Sequence, residues 1–301
     1  MRSGVAAFAP VLIVAARTAF AMPAIDSGLA PGGGELQAQA HFGVATTPFD
    51  VTTLGEAKGQ AFVLLAGARQ ALPGRLSLEL RAPLVLGSVA QPAGSYVDAA
   101  ALGNPQLGAR YRFFERRSDA SALALAAALE VGAPVASHGE DLMANRVLAI
   151  ADGIEGRGHP EWFTPGVLPI TASTALRWSS PRWSLAAELR VPLLVRVSEA
   201  QLPSAASNTR GLGLASIAAV EAGYRLSQRL SLAPAAHLFF DIVPAVEHAP
   251  GVSRLQDFER LSLHIHFGSS AALVIDLQTA IGGELAGSTV AGGLRLVANV
   301  R

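Results

Sequence analysis

The chain is written in alternation. In RLSLELRAPLVL, residues 75–86, Arg75, Ser77, Glu79 and Arg81 share one parity, while Leu76, Leu78, Leu80, Ala82 and Leu84 share the other. Successive side chains of an extended strand point to opposite faces, so the stretch predicts a strand with one polar and one apolar face. About twelve such stretches can be read from Glu35 onward, and in nearly all of them the charges keep one parity. The first sets Glu35, Gln37, Gln39 and His41 against Leu36, Ala38, Ala40 and Phe42; the fourth, NPQLGARYRFF, sets Asn104, Gln106, Arg110 and Arg112 against Leu107, Tyr111 and Phe113. RWSLAAELRVPLLVRV does the same with Arg182, Ser184, Glu188, Arg190 and Arg196. Later stretches place Glu221 with Arg225, His237 with Asp241, Arg260 with Ser262, His264 and His266, Asp276 with Gln278, and Arg295 with Asn299. Stretches near 60–69, 120–132 and 165–178 are more apolar, marked chiefly by Arg69, Glu130 and Arg177. SALALAAALEV, within the second of these, favours a helix by propensity; its length and its neighbours argue for a strand.

The links between stretches alternate as well. Short ones fall at 71–74, 115–119, 179–181, 227–228 and 268–270; longer ones at 45–59, 87–103, 133–164, 198–210 and 244–257, with a last short outer turn near Gly287. A transmembrane barrel has short periplasmic turns, long outer loops and an even strand number, and this pattern predicts one with both termini on the short-turn side. Tyr111, Phe113, Trp178, Trp183, Tyr224 and Phe267 lie close to the short turns on the apolar parity, where an interfacial girdle belongs. Pro83, Pro105, Pro134, Pro169 and Pro192 fall near the proposed outer rim, where pairing can end or bulge; Pro234 falls inside a strand and has no place in the scheme.

Alternation alone leaves open which face meets water, since a soluble lipocalin-like barrel or sandwich has it too. Composition decides. Charged residues make up 15% of the 301 residues and hydrophobic ones 50%, too little charge to cover a soluble sphere. With hydrocarbon outside, each arginine moved onto that face near midplane would cost about 2–4 kcal/mol, so constant parity fixes the register. The N-terminus adds an export reading: Arg2, the apolar VAAFAPVLIVAA and the small-x-small Ala19-Phe20-Ala21 predict a signal peptide over 1–21, ahead of one barrel domain over 22–301. Net charge is zero and Lys58 is the sole lysine, so no basic footprint for nucleic acid exists. The chain holds no cysteine, which excludes disulfides and thiolate metal sites.

Several pieces resemble a known family. ALGNPQLGARYRFF, YRLSQRLSLAP, and LEVGAPVASHGE followed by FTPGV are similar to recurring strand-turn segments of the outer-membrane MetA-pathway of phenol degradation, transporter-like family, over about residues 75–240. The resemblance implies a twelve-stranded outer-membrane barrel of Gram-negative bacteria that passes small, often hydrophobic molecules. Outer-membrane barrels usually finish on an aromatic residue read by the barrel-assembly machinery, an expected partner; this chain finishes LRLVANVR.

The chemistry expected inside is ionic. Arg75, Glu79, Arg81, Arg110, Arg112, Glu188, Arg190, Arg196, Glu221, Arg225, Asp276 and Arg295 are predicted to line the lumen, with Arg69, Arg177, Arg182, Arg260, Glu35, Glu130, Asp241 and Glu284 in the wider inward set. A barrel of about twelve strands lies between the filled and the open kinds, so these groups either line a narrow, mildly anion-preferring passage or close it as a salt-bridge network. The expected function is passive passage of a small solute through a barrel held by membrane lipids, with no catalysis, cofactor or metal. A closed structural or surface-recognition barrel is the alternative, and an acyl hydrolase built on Ser262, His264 and His266 comes third. His264 and His266, at i and i+2, could hold a metal, but they are two ligands without a third. EDLMANRVLAIADG, in the long 133–164 link, predicts a short helix ending at Gly153, folded either inward as a constriction or outward as a recognition surface; His159 and Glu161 read as solvated loop.

Overall fold

Period-two patterning becomes pairing in the computed structural model, which describes residues 34–48, 56–91, 94–136, 142–198, 211–245, 254–267, 271–283 and 285–300. The signal-peptide stretch, Glu284 and Arg301 lie outside these. The strands are β1 (Gly34–Pro48), β2 (Glu56–Ala71), β3 (Leu76–Ala90), β4 (Tyr96–Leu102), β5 (Gln106–Arg117), β6 (Ala122–Gly132), β7 (Val167–Ser179), β8 (Trp183–Arg196), β9 (Leu212–Arg225), β10 (Leu230–Val243), β11 (Leu255–Phe267), β12 (Ala271–Gly282) and β13 (Val290–Val300). All pair antiparallel, and β1 pairs with both β2 and β13, which closes the sheet into a barrel of twelve strands.

The thirteenth strand is a broken position, not an extra one. The inner half of β3 pairs with β5 (Leu76↔Tyr111 to Arg81↔Gln106) and its outer half with β4 (Leu84↔Leu102 to Ala90↔Tyr96). Gly103, Asn104 and Pro105 interrupt what is otherwise one strand, and Pro105 can donate no ladder hydrogen bond. The stretch 87–103, expected to be a long loop, is therefore mostly wall. Pro234 also finds its account: β10 pairs with β9 at Leu232↔Tyr224 and again at Ala235↔Glu221, with no pair at Pro234 between them.

Three short turns share one local device. Ser118, Ser180 and Ser227 each accept, at Oγ, the backbone N–H of the residue three positions on, at 3.1 Å in every case. A serine hydroxyl is small enough to bond the backbone locally and so to tie a tight link without a long loop. The faces then sort by solvent. Leu78, Leu80, Leu107, Leu129, Leu189, Leu238, Leu261 and Leu277 are exposed outward, whereas Glu79, Arg81, Arg110, Glu188 and Asp276 on the other parity are buried. Exposed leucines in a belt around a closed barrel with ionised groups inside invert the soluble arrangement; this is a transmembrane barrel. Tyr111, Phe113, Trp183 and Phe267 lie exposed near the short-turn end, as a girdle requires, and Trp183 packs on Tyr224 with ring centroids 4.6 Å apart.

The long link folds inward. Helix α1 (Leu142–Ile154) has Val147, Leu148, Ile150 and Ala151 buried against Ala61, Val63, Val85, Val89 and Ala101 of β2, β3 and β4. It ends on Gly156 and Arg157, whose φ values of 63° and 56° turn the chain sharply into the single-turn α2 (Pro160–Phe163). A Cβ at Gly156 would stand 2.4 Å from the Phe258 ring, so both conformation and space require glycine there.

Candidate functional site

Eight of the twelve lining residues expected from sequence are buried inside the barrel: Glu79, Arg81, Arg110, Glu188, Arg190, Glu221, Asp276 and Arg295, none more than 7% exposed. Arg112, Arg196 and Arg225 are half-buried near the strand ends. Arg75 is displaced from its expected place. It completes the 3-10 turn Pro73–Arg75 with φ 71° and is exposed, because the strand begins only at Leu76. Arg182 likewise lies exposed on a short turn.

The buried groups form three connected sets. The first centres on Glu79, whose carboxylate accepts hydrogen bonds from Arg69 (2.9 Å), Arg81 (2.8 Å) and Arg110 (2.8 Å). Arg81 reaches on to Glu130 at 3.0 Å, Arg69 to Glu35 at 3.4 Å, and Arg110 lies 3.9 Å from Glu188. One carboxylate thus ties β2, β3 and β5 together, and the outer members extend the set to β1, β6 and β8. Charge-assisted bonds of this kind are strong in a low-dielectric interior, and breaking them leaves guanidinium groups buried without compensation.

The second set fastens the end of α1 to the wall. His41 on β1 lies 2.6 Å from Glu155 and 3.7 Å from Asp276, and Asp276 accepts from Ser262 and lies 3.4 Å from Arg295. His41 fits flat against the backbone because Gly293 faces it: a Cβ there would fall 2.0 Å from the ring. Gln278 donates to the Ile154 carbonyl at 2.8 Å, using one of the helix's free C-terminal acceptors.

The third set holds α2 and corrects the reading of His159 and Glu161 as solvated loop. Glu161 is fully buried and forms an ion pair with Arg190, which also donates to the Gly158 carbonyl at 2.8 Å. His159 stacks on Trp162 with ring centroids 3.6 Å apart, and burial together with Arg190 keeps its imidazole well below the usual pKa, hence neutral. The strand break completes the clamp: Asn104 donates from its amide to the Glu161 and Thr164 carbonyls (3.1 and 3.0 Å) and accepts from the Ala136 N–H at 2.9 Å. Asn104 was visible in the sequence as an inward residue; its clamping role was not, because the partner segment lies more than thirty residues on. The helix's own Asp152 has its pKa raised to about 6 by burial, opposed by Arg157 and reinforced by Asp241 and Glu155.

Ser262 does not meet a histidine. It bonds Asp276, and neither ring nitrogen of His264 has a hydrogen-bond partner among the described residues; the serine on His266 is Ser231, at 3.0 Å. No group of three or more metal-ligating side chains comes together among the described residues.

No family model and no curated protein matches the chain. Solved structures do. The COG4313 outer membrane channel from Pseudomonas putida F1 aligns over 93% of this chain and 99% of that one, with a TM-score of 0.63 at 15% identity. The transport unit of the autotransporter AIDA-I from Escherichia coli aligns over 98% of each chain, with a TM-score of 0.51 at 9% identity. This chain has the fold of an outer-membrane β-barrel. At such low identity the likeness concerns the path of the backbone. What an outer-membrane barrel of this kind can do here is set by its charged interior and by an inserted segment clamped at three places.

Proposed function

We propose that this barrel is an outer-membrane channel for passive passage of a small solute, narrowed by α1 and α2, and that it belongs to the phenol-degradation MetA-pathway family its strand-turn segments resemble. The observation that carries the reading is the inward-folded segment itself: thirteen helical residues, nine of them buried, whose apolar side chains pack against β2, β3 and β4. A purely structural barrel has no need of an insert fastened by ion pairs, whereas a channel uses one to set what passes. In this reading the chain is exported by its N-terminal 1–21 segment, inserted by the assembly machinery and surrounded by outer-membrane lipid; buried arginines and buried acids nearly balance among the described residues, which removes the arginine excess behind the expected anion preference. A closed, structural or surface-recognition barrel is the second reading, favoured by the saturation of Glu79 by three guanidinium groups.

Purified protein in planar bilayers, with small-solute uptake into proteoliposomes, separates the two. The channel reading expects discrete, salt-dependent conductance steps and solute flux above that of empty vesicles. Absence of both would leave the closed barrel.

A further inference from the structure

Arginine recurs at the short-turn rim. Arg75 closes the turn before β3, Arg116 and Arg117 end β5, Arg182 immediately precedes β8 and Arg229 immediately precedes β10, all of them exposed. Two of the serine-tied turns present theirs in the same way: in Ser180-Pro181-Arg182 and Ser227-Gln228-Arg229 the hydroxyl that fixes the turn stands two residues before the arginine. Among the described residues these turns carry two carboxylates, Glu115 and Asp119, and Glu115 is already held between Arg112 and Arg117. Arg75, Arg116, Arg182 and Arg229 have no ion-pair partner among the described residues. The long-loop half differs, since its exposed charges, Lys58, Asp98, Arg254 and Glu259, are of both signs.

Each of these four arginines also stands beside the aromatic girdle. Leu76, next to Arg75, pairs with Tyr111; Phe114 lies two residues before Arg116; Arg182 adjoins Trp183; and Leu232, three residues after Arg229, pairs with Tyr224. A girdle marks the depth at which hydrocarbon gives way to headgroups, and an arginine there can lay its stem on apolar surface while its guanidinium reaches the polar layer. The planar guanidinium offers paired N–H donors that match a phosphate, and its charge repels the ammonium of a zwitterionic headgroup. The turns concerned run round the barrel from β2 to β10, so a compact partner protein could cover only part of the set, whereas a lipid leaflet meets all of it. We propose that the short-turn rim is a collar for anionic phospholipid of the inner leaflet, of the phosphatidylglycerol class, with a phosphodiester against each unpaired guanidinium. The collar needs only a membrane barrel, and it stands whether or not the lumen conducts.

Trp183, exposed beside Arg182, reports the lipid at this rim directly. The full chain is inserted into mixed vesicles of phosphatidylglycerol and phosphatidylethanolamine in which one lipid or the other carries bromine on its acyl chains, and tryptophan quenching gives the relative affinity of the two. One arginine near an anionic surface favours it about fivefold, so the wild type should prefer phosphatidylglycerol by about that factor. The preference should shrink at about 1 M salt, where screening acts within about 3 Å. With Arg75, Arg116, Arg182 and Arg229 all changed to glutamine it should fall below about twofold. These side chains have no folded-state partner to lose, and an unchanged strand signal in circular dichroism checks that the variant is inserted. Should it fail to insert, Arg182→Gln alone, next to the reporting ring, is expected to halve the preference. Equal quenching by both lipids in the wild type would overturn the collar and leave the rim to an acidic periplasmic protein. A preference that survives either variant at full strength would overturn it as well, because the selectivity would then lie elsewhere on the barrel.

Discussion

Two parts of the inner wall obey the same parity rule with opposite chemistry. On the outer half of β2 and β3 the inward residues are Ala61, Val63, Leu65, Val85 and Val89, all buried and apolar. On β9 to β12 the inward face carries buried Glu221, Ser262, His264, Asp276 and Gln278, interspersed with apolar groups such as Ala215, Ile217 and Phe239. The difference lies in what each wall faces. The first faces α1, whose Val147, Leu148 and Ile150 complete an apolar contact; the second faces the remaining interior and the charged end of the helix, where Glu155 meets His41 and Asp241 and Asp276 stand near. Polarity inside a barrel is thus assigned patch by patch, by the neighbour across the lumen.

The largest effect expected from this contrast comes from putting a charge into the apolar patch. Leu148 is completely buried between α1 and the wall. Leu148→Asp would bury an uncompensated carboxylate, at a cost of several kcal/mol, and about 5.5 kcal/mol carries a two-state equilibrium from 1:99 to 99:1. The helix should undock while the ladder around it persists, raising single-channel conductance by tenfold or more with an unchanged strand signal in circular dichroism. If conductance stays at the wild-type level, α1 does not limit passage and the asymmetry between the walls has no functional meaning.

This contrast also explains what the sequence could and could not reveal. Where an inward residue is charged, as on β3, β8 or β12, alternation named the strand, its face and its register, because lipid outside forbids any other parity. The stretch near 60–69 read as weak for the reason now visible: its inward face is as apolar as its outward one, since a helix covers it. The helix itself was legible in EDLMANRVLAIADG, but its docking against this wall was not, because a covering contact is a tertiary fact. The same limit hid the roles of Asn104 and Glu161. The fold brings Asn104 to the Glu161 carbonyl across 57 residues and Glu161 to Arg190 across 29, and nothing local to GNP or HPEW distinguishes a clamp from a loop. Arg75 errs in the other direction: the pattern of its strand continued one residue past the point where Gly74, at φ 79°, turns the chain.

A second break falls on the polar side. Removing Glu79 with Glu79→Ala leaves Arg69, Arg81 and Arg110 buried around an absent acceptor, and loss of one partner from a buried ion network costs about 3–5 kcal/mol. Urea unfolding from lipid vesicles should register that loss. A change under about 1 kcal/mol, the range of exposed pairs, would mean that water reaches the hub and that the inner wall is wetter than its burial implies.

The smallest effect is a matter of pH at the end of α1, where the two kinds of wall meet. Asp152 has a pKa of about 6 in the docked helix, above its ordinary 3.8, because burial outweighs Arg157 and is joined by Asp241 and Glu155. A raised carboxyl pKa means that the docked state binds the proton more tightly, so docking weakens as pH climbs from about 4 to about 6 and stays weakened above. His159, held neutral by burial, has the opposite sense: protonation below its ordinary pKa of 6.5 works against docking, so the two groups pull against each other in mild acid. Asp152→Asn removes only the first. At about pH 7.5, where Asp152 is ionised, the variant should dock a few-fold more tightly and lower the fraction of time the channel is open. At about pH 4, close to the ordinary carboxyl pKa of 3.8 and well below the docked one, variant and wild type should converge, leaving the loss due to His159 in both. A ratio of open fractions that does not change between these two conditions would show that the carboxyl of Asp152 titrates in water, outside the seam between helix and wall.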